Sequence, residues 1–217
     1  MHRALLIFEL LILFAGLPLG YRFSPVRIPA LPLLWLVSCY AWWQLARDNS
    51  FDSHRLWNAG PLAENLGSIL PIFLLVAVIL WAGTHWFAPQ LEWSFVRERP
   101  RLWAMVMMLY PVLSVYPQGL LYRAFFLHRY AVLFPPGAAG RWELILASAA
   151  AFGLLHIIFR NSLAVGLTFC GGILFAWRYA ETGSLLTSST EHALYGCWLF
   201  TVGLGQYFYH GVWPEPK

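Results

Sequence analysis

Long apolar stretches separated by short polar segments dominate the chain. The stretches between charged residues are 4–20, 28–46, 67–88, 102–116, 118–134, 142–159, 161–179 and 184–210. A helix needs about 20 mostly apolar residues to cross roughly 30 Å of hydrocarbon. The pattern predicts seven or eight helical segments, and the number is seven if 102–116 and 118–134 form one helix. Such a helix would bend at Pro111 and Pro117, because proline removes a helix hydrogen bond.

The composition indicates an integral membrane protein. Of the 217 residues, 59% are hydrophobic and 11% are charged, whereas a soluble domain is about 25% charged and 45–50% apolar. These values exclude a soluble globular domain and low-complexity disorder. The net charge of +4 is too small and too scattered to predict a nucleic-acid partner. We therefore predict an all-α polytopic helix bundle that forms a single membrane domain over residues 1–217, with the lipid bilayer as its surroundings.

Two polar segments and the N-terminal stretch complete the predicted organisation. Residues 47–66 are expected to form an interfacial excursion and residues 89–101 a loop. Arginine and lysine are almost evenly divided between the two sides of the predicted bundle, so they do not set its orientation. The first stretch follows a short basic start and is interpreted as a retained span rather than a cleaved signal peptide. The three cysteines lie in apolar stretches and predict no disulfide framework.

Ionisable side chains inside apolar segments are the strongest indication of a functional region. At bilayer depth such a side chain costs about 2.5–3.5 kcal/mol even on the lenient insertion scale. Four of them lie in the second half of the chain: Arg123, His156, Glu191 and His192. The sequence therefore places the function in residues 117–200.

Helix geometry predicts open space beside two of these groups. Residues four apart lie on the same helix face, so Gly119 accompanies Arg123 and Gly196 accompanies His192. Glycine leaves volume beside a polar group, and such volume is what a water-filled cavity requires.

The same geometry separates Glu191 from its neighbour His192. Adjacent residues of a helix differ by about 100° in direction, so one helix does not easily direct both side chains at one small ligand. Phe152 and His156, four apart, share a face. A straight-helix estimate places His156 and His192 roughly 9 Å apart in depth. Rings more than about 12 Å apart with no cavity connecting them would contradict a common site.

Three segments in the second half resemble the motifs of the CPBP intramembrane proteases. The segments are YPQGLLYRAFFLHRY, FGLLH and EHALYG. The family includes CAAX prenyl endopeptidases, Abi proteins and bacteriocin-processing or immunity relatives. Its pattern is a glutamate pair with Arg four residues on, then Phe-x-x-x-His, then His-x-x-x-Asn or Asp. Arg123, Phe152, His156 and His192 fall on these positions, and the resemblance covers roughly residues 100–200.

The chain departs from this pattern at two places. Gln118 and Gly119 stand where the family has its glutamate pair, and Gly196 stands where it has Asn or Asp. The resemblance implies that the first glutamate activates a water, while the histidines and the Asn hold that water and the oxyanion. An amide at 118 can position a water but cannot accept its proton. Loss of a general base typically costs 10²–10⁴-fold in rate, and loss of an oxyanion donor costs 10²–10³-fold.

Several groups are candidates for the missing base. Glu191 is the nearest carboxylate in the sequence, and His156 or His192 could serve directly because imidazole titrates near neutrality. Arg123 either orients the site or forms a buried ion pair with Glu191. His156 and His192 would be the ligands of any divalent metal. Catalytic zinc usually has three protein ligands, so the sequence supports a metal only weakly and leaves the cofactor open.

The remaining candidates are expected to line a cavity or a substrate path. They are Gly119, Tyr122, Phe152, Gly196 and Asn161. Gln118 is also expected to line the cavity, since it follows Pro117 at a predicted bend. Asn161 has a second interpretation as the N-cap of the next helix.

The sequence thus predicts a CPBP-type intramembrane endopeptidase, or a catalytically weakened relative. The resemblance implies a membrane-embedded or lipidated peptide as substrate and a bacterial or archaeal cell membrane as location. The alternative is a pseudoprotease whose cavity binds a membrane peptide or lipid without cleaving it. A transporter is disfavoured, because the sequence shows no inverted repeat.

Overall fold

The protein is helical wherever its structure is described. The computed structural model describes residues 2–26 and 28–208, and within these ranges it contains eight helices and no strand. The helices are α1 (Arg3–Phe23), α2 (Ala30–Arg47), α3 (Gly60–Phe87), α4 (Ser94–Glu98), α5 (Pro100–Arg129), α6 (Ala138–Phe159), α7 (Ser162–Thr182) and α8 (Leu185–Val202). Short 3-10 turns lie at Ser53–Leu56, Pro89–Leu91, Ala131–Leu133 and Leu204–Phe208. The predicted all-α fold class is confirmed.

Five helices are long and apolar enough to cross a membrane, namely α1, α3, α5, α6 and α7. Their outward faces carry large apolar side chains, and Leu74, Leu75 and Met108 are each at least 60% exposed. Such surfaces suit lipid and not water. The chain is therefore an integral, multi-pass membrane protein.

Helix α5 is one long helix, so the predicted segments 102–116 and 118–134 are joined. The eighth helix of the described ranges is the short α4, which lies within the predicted loop 89–101. Two π-helical turns interrupt α5, at Pro111–Val115 and Leu120–Phe125. Proline cannot donate the hydrogen bond that an α-helical turn requires. A π turn is closed instead by a hydrogen bond between residues five positions apart. The helix ends at Arg129, so the predicted extension of this segment to residue 134 is wrong.

Helix α3 begins earlier than the sequence pattern predicted. The expected interfacial excursion over 47–66 is helical from Gly60 onward. The Asn58 side-chain oxygen accepts a hydrogen bond from the Gly60 amide at 3.1 Å, and Pro61 in the first turn suits a helix start. The polar side chains near this helix start made the sequence resemble a loop. In the structure, one of them, Asn65, points into the bundle and accepts a hydrogen bond from Arg178.

Helix α8 ends at Val202, short of the predicted limit at residue 210. Gly203 adopts a left-handed conformation with φ of 108°, which ends a helix and favours glycine. A Cβ there would also collide with the backbone oxygen of Leu91. The 3-10 turn Leu204–Phe208 follows, and the last two predicted residues lie outside the described part of the chain.

The second half of α5 forms the centre of the bundle. Every residue from 117 to 126 is buried, and the main apolar cluster of the protein surrounds them. Helices α6 and α7 approach closely beside it, because a Cβ at Gly172 would lie 3.0 Å from the Cα of Ala149. Small residues allow such close packing between membrane helices. The three motifs therefore lie on helices that all meet around α5.

Candidate active site

A cavity of about 230 Å³ lies between α3, α5, α6, α7 and α8. Most of its wall is apolar and aromatic, and its polar lining residues are Tyr110, Ser114, Gln118, His156, Thr168, His192 and Tyr195. Of the predicted site residues, it brings together Gln118, Phe152, His156, His192 and Gly196. The other five do not line it.

His156 lies at the point where α6 tightens into its final 3-10 turn. Its Nδ1 is 2.8 Å from the Phe152 carbonyl oxygen. Because a carbonyl only accepts, Nδ1 carries the proton, and in the neutral ring Nε2 holds the lone pair. Among the described residues, only the Phe152 carbonyl is hydrogen-bonded to the His156 ring, so Nε2 has no hydrogen-bond partner there. The free nitrogen of His156 can therefore accept a proton.

His192 occupies an aromatic pocket on α8. Its ring stacks on Phe175, with centroids 4.6 Å apart and planes at 21°, and it meets the edge of Phe152. Its Nε2 lies 3.5 Å from the Tyr110 hydroxyl oxygen. Its Nδ1 is buried and has no partner among the described residues. The imidazole is held firmly, and its Nδ1 retains hydrogen-bonding capacity.

Both imidazoles share one aromatic neighbour. The Phe152 ring centroid is 4.7 Å from that of His156 and 5.4 Å from that of His192. The two histidines are thus closer than the limit of about 12 Å beyond which a common cavity was excluded. The Phe-x-x-x-His motif on α6 and the motif histidine on α8 therefore meet in a single cavity.

Gln118 contributes an amide to the same cavity. Its Nε2 donates to Ser114 Oγ at 2.7 Å, one turn earlier on α5. Its Oε1 is buried without a partner in the described part of the protein. Buried polar atoms are nearly always hydrogen-bonded, so this oxygen requires a water or a substrate group.

The predicted open space beside Gly119 and Gly196 is absent. A Cβ at Gly119 would lie 2.7 Å from Ser189 Oγ and 3.0 Å from Leu185 Cδ1. This glycine lets α8 pack against α5 and does not line the cavity. At Gly196, the phenol ring of Tyr110 fills the volume that a side chain would take. Glycine at both motif positions serves close helix packing.

Arg123 lies behind the aromatic wall of the cavity. Its guanidinium carbon is 4.2 Å from the Phe152 ring centroid and 5.3 Å from that of Phe175, a cation–π arrangement that favours an arginine over an aromatic face. Its Nη1 donates to the Gln118 carbonyl oxygen at 3.4 Å, and its Nη2 has no partner in the described ranges. The alternative that Arg123 pairs with Glu191 is wrong.

Tyr122 is also buried away from the cavity. Its ring contacts Phe14 and Phe152, and its backbone oxygen accepts a hydrogen bond from Ser148. The expectation that Tyr122 lines the cavity is therefore not met, because its ring packs against α1 and α6 instead.

Glu191 forms a buried ion pair with an arginine that the sequence did not point to. Arg178 Nε lies 2.8 Å from Glu191 Oε2, and Arg178 Nη2 lies 3.2 Å from Oε1. The two side chains are 2% and 0% exposed. Arg178 also donates to Asn65 and Ser68 on α3. Glu191 does not line the cavity, which weakens its candidacy as a replacement base.

Asn161 caps α7 and does not line the cavity. Its Oδ1 accepts from the Ala164 amide at 2.7 Å, as the capping interpretation predicted. Its Nδ2 donates to the Tyr207 backbone oxygen at 2.9 Å, which ties the cap to the turn after α8.

Replacing Asn161 by Ala is expected to lower the free energy of unfolding by about 1 kcal/mol, the usual cost of losing a helix N-cap. Thermal unfolding in detergent would measure it. The variant Asn161→Asp keeps the accepting oxygen and should lose less. Equal losses from the two variants would contradict the capping role.

Tyr110 and Ser114 are the cavity residues that sequence reasoning missed on α5. They precede Gln118 by eight and four residues, a spacing that suggests a shared helix face. The two prolines between Tyr110 and Gln118 concealed this pattern, because they marked a boundary between two apolar stretches.

The metal-binding capacity of the site is small. Across residues 2–26 and 28–208, no three His, Cys, Asp or Glu side chains lie together as a metal site would require. His156 and His192 supply two nitrogen ligands, one fewer than catalytic zinc sites usually have.

Apolar helices around a polar cavity that holds two buried histidines define a polytopic membrane protein with an intramembrane site. Residues 100–198 match the family model described as type II CAAX prenyl endopeptidase Rce1-like. The match spans all three motifs and confirms the resemblance to the CPBP family over residues 100–198. Comparison with curated proteins and with solved structures gave no match.

Proposed function

We propose that this protein is a CPBP-type intramembrane endopeptidase that hydrolyses membrane-embedded or lipidated peptides, at a rate reduced by the loss of the glutamate pair. One observation carries the proposal: His156, His192 and Gln118, from three different motifs, line one cavity within the helix bundle. The Rce1-like match over the same residues supports a peptide as substrate.

Unpartnered polar atoms give the cavity a place for the attacking water. Gln118 Oε1, His192 Nδ1 and the Tyr195 hydroxyl are all buried and lack partners among the described residues. A water in a protein interior needs two to four polar partners. Three residues that line the cavity thus each carry a polar atom without a partner, which favours hydrolysis over a dry, purely apolar binding site.

His156 is the best placed general base. The Phe152 carbonyl fixes its Nδ1 as the protonated nitrogen, so Nε2 can take a proton from water as the water oxygen attacks the peptide carbonyl carbon. The carbonyl π electrons move onto oxygen. When the C–N bond then breaks, His156 returns the proton to the leaving amine.

Gln118 and Arg123 would assist without transferring protons. The free Oε1 of Gln118 can accept a hydrogen bond from the water and orient it. Arg123 supports Phe152, the ring that both histidines contact. Because it is separated from the cavity by that ring, we assign it positioning and no direct contact with substrate.

The apolar wall suits a substrate that arrives from the bilayer. Apart from its few polar groups, the cavity is lined by side chains of Val, Leu and Phe from four helices. Lipid-embedded segments and lipid-modified peptides present matching apolar surface, and burying it is favourable at about 25 cal/mol per Å².

A second candidate is a pseudoprotease that binds such a peptide or lipid without cleaving it. The observation in its favour is that no Asp or Glu is among the described residues that line the cavity. This alternative retains the apolar wall and the buried histidines but assigns them to binding.

Replacing His156 or His192 by Ala is expected to abolish cleavage, since each removes an imidazole from the cavity. Terminal-peptide mass spectrometry of membranes from cells expressing wild type or variant at matched levels would measure it. New protein termini should appear only with the wild type and with the control His54→Ala, whose exposed side chain lies outside the cavity.

The same experiment separates the two candidate functions. Identical termini in all samples would contradict the endopeptidase. If the wild type then still retained a membrane partner that both cavity variants lost, the pseudoprotease would be supported.

A further inference from the structure

Tyr110 brings a hydroxyl into the cavity from the first half of α5. Its hydroxyl oxygen lies 3.5 Å from His192 Nε2, and its ring packs edge-on against Phe200 with centroids 5.3 Å apart. Apart from His192, no described residue forms a hydrogen bond with this hydroxyl. The phenol is thus fixed by packing. When His192 carries its proton on Nε2 and donates it to the phenol oxygen, the phenol O–H is available to a third group.

The position of Tyr110 depends on Gly196. The phenol occupies the volume where any side chain at 196 would begin. His192 and position 196 are one turn apart on α8 and share a face. An amide at 196 would therefore reach the same side of His192 that the phenol reaches from α5. Glycine at 196 and tyrosine at 110 form a complementary pair.

We propose that the Tyr110 hydroxyl donates a hydrogen bond to the oxyanion, in the place of the amide that the third motif lacks. This proposal rests on the proposed endopeptidase function. A phenol supplies one O–H donor, comparable to one amide N–H. During attack, the water oxygen bonds to the carbonyl carbon and the proton passes to His156 Nε2. The electron pair that moves onto the carbonyl oxygen is stabilised by the Tyr110 O–H.

The test is a set of variants assayed in proteoliposomes with a fluorogenic peptide that spans a cleavage site mapped by terminal-peptide mass spectrometry. Tyr110→Phe keeps the ring and its packing but removes the hydroxyl. We expect kcat to fall on the order of 10²-fold, as for loss of one oxyanion donor. KM should be almost unchanged, because the lost interaction forms only in the transition state. Tyr116→Phe is the matched control, since this hydroxyl on the same helix bonds to Leu56 outside the cavity.

A rescue variant separates catalysis from packing. Tyr110→Ala clears the space beside Gly196, so that Tyr110→Ala/Gly196→Asn can place an amide next to His192. We expect this double variant to exceed Tyr110→Ala in kcat by at least about tenfold. Gly196→Asn alone should fold poorly, because its side chain would overlap the phenol.

The outcomes distinguish the two proposals. If wild type cleaves, His156→Ala does not, and Tyr110→Phe cleaves at the wild-type rate, Tyr110 is not the oxyanion donor although the endopeptidase stands. If Tyr110→Phe is slow but the rescue variant equals Tyr110→Ala, the hydroxyl acts by holding His192 and not as the oxyanion donor, so the proposal also fails. Cleavage that is absent, or independent of His156, overturns the endopeptidase and the Tyr110 role together.

Discussion

Gln118→Glu is expected to raise the rate of peptide hydrolysis by about 10²-fold, the lower end of the range that a positioned general base contributes, because His156 already supplies a base in the wild type. Gln118 already lines the cavity, and its Oε1 has no partner in the described part of the chain. Gln118→Glu keeps the shape of the side chain and adds the capacity to accept a proton. The Ser114 hydroxyl, now 2.7 Å from the amide nitrogen, can rotate to donate to the new carboxylate.

Two further variants control this experiment. Gln118→Met keeps the approximate volume and removes the polar group, so it should cleave more slowly than the wild type. Gln118→Glu/His156→Ala tests whether the gain still requires the histidine. Rates would be compared in proteoliposomes at equal protein content. An unchanged or lower rate in a well-folded Gln118→Glu variant would show that residue 118 is not at the base position.

Removing the Glu191 carboxylate is expected to lower the free energy of unfolding by about 3–5 kcal/mol, because Glu191→Ala leaves Arg178 charged and unpaired in the bundle. Equilibrium unfolding in mixed detergent micelles would measure the loss. The matched control is Glu181→Ala, which breaks the Arg141–Glu181 pair. The side chains of Arg141 and Glu181 are 44% and 46% exposed, and such pairs contribute about 0–1 kcal/mol.

A double variant then separates the structural role of Glu191 from a catalytic one. Buried ion pairs can often be replaced by apolar residues at little cost, so Arg178→Met/Glu191→Leu should recover most of the lost stability. If Glu191 serves only this pair, the double variant keeps cleavage activity. A stable double variant without activity would instead identify Glu191 as the base.

Local helix geometry accounts for what the sequence predicted correctly. His156 contacts Phe152 four residues earlier, and Glu191 and His192 point to different neighbours as their angular separation required. The long apolar stretches also predicted the spanning helices. These features depend on the periodicity of a single helix, which can be read from residue spacing alone.

Contacts between helices account for what the sequence could not predict. Glycine at 196 predicted empty space, but Tyr110, from a helix that lies far away in the sequence, fills that space. The sequence offered only Arg123 as an ion-pair partner of Glu191, but the packing of α7 against α8 pairs Glu191 with Arg178. Which side chain enters a space depends on how helices tilt and slide against each other, and one sequence does not specify this.

The π-helical turn at Pro111–Val115 determines which residues of α5 point in the same direction. In an uninterrupted α-helix, side chains eight positions apart diverge by about 80°. A π turn spreads one revolution over more residues, so the rotation per residue falls and the divergence between Tyr110 and Gln118 shrinks. The widened turn thus aligns a phenol and an amide along one line facing the histidines. The same residues on a regular α-helix would present Tyr110 to a different neighbour.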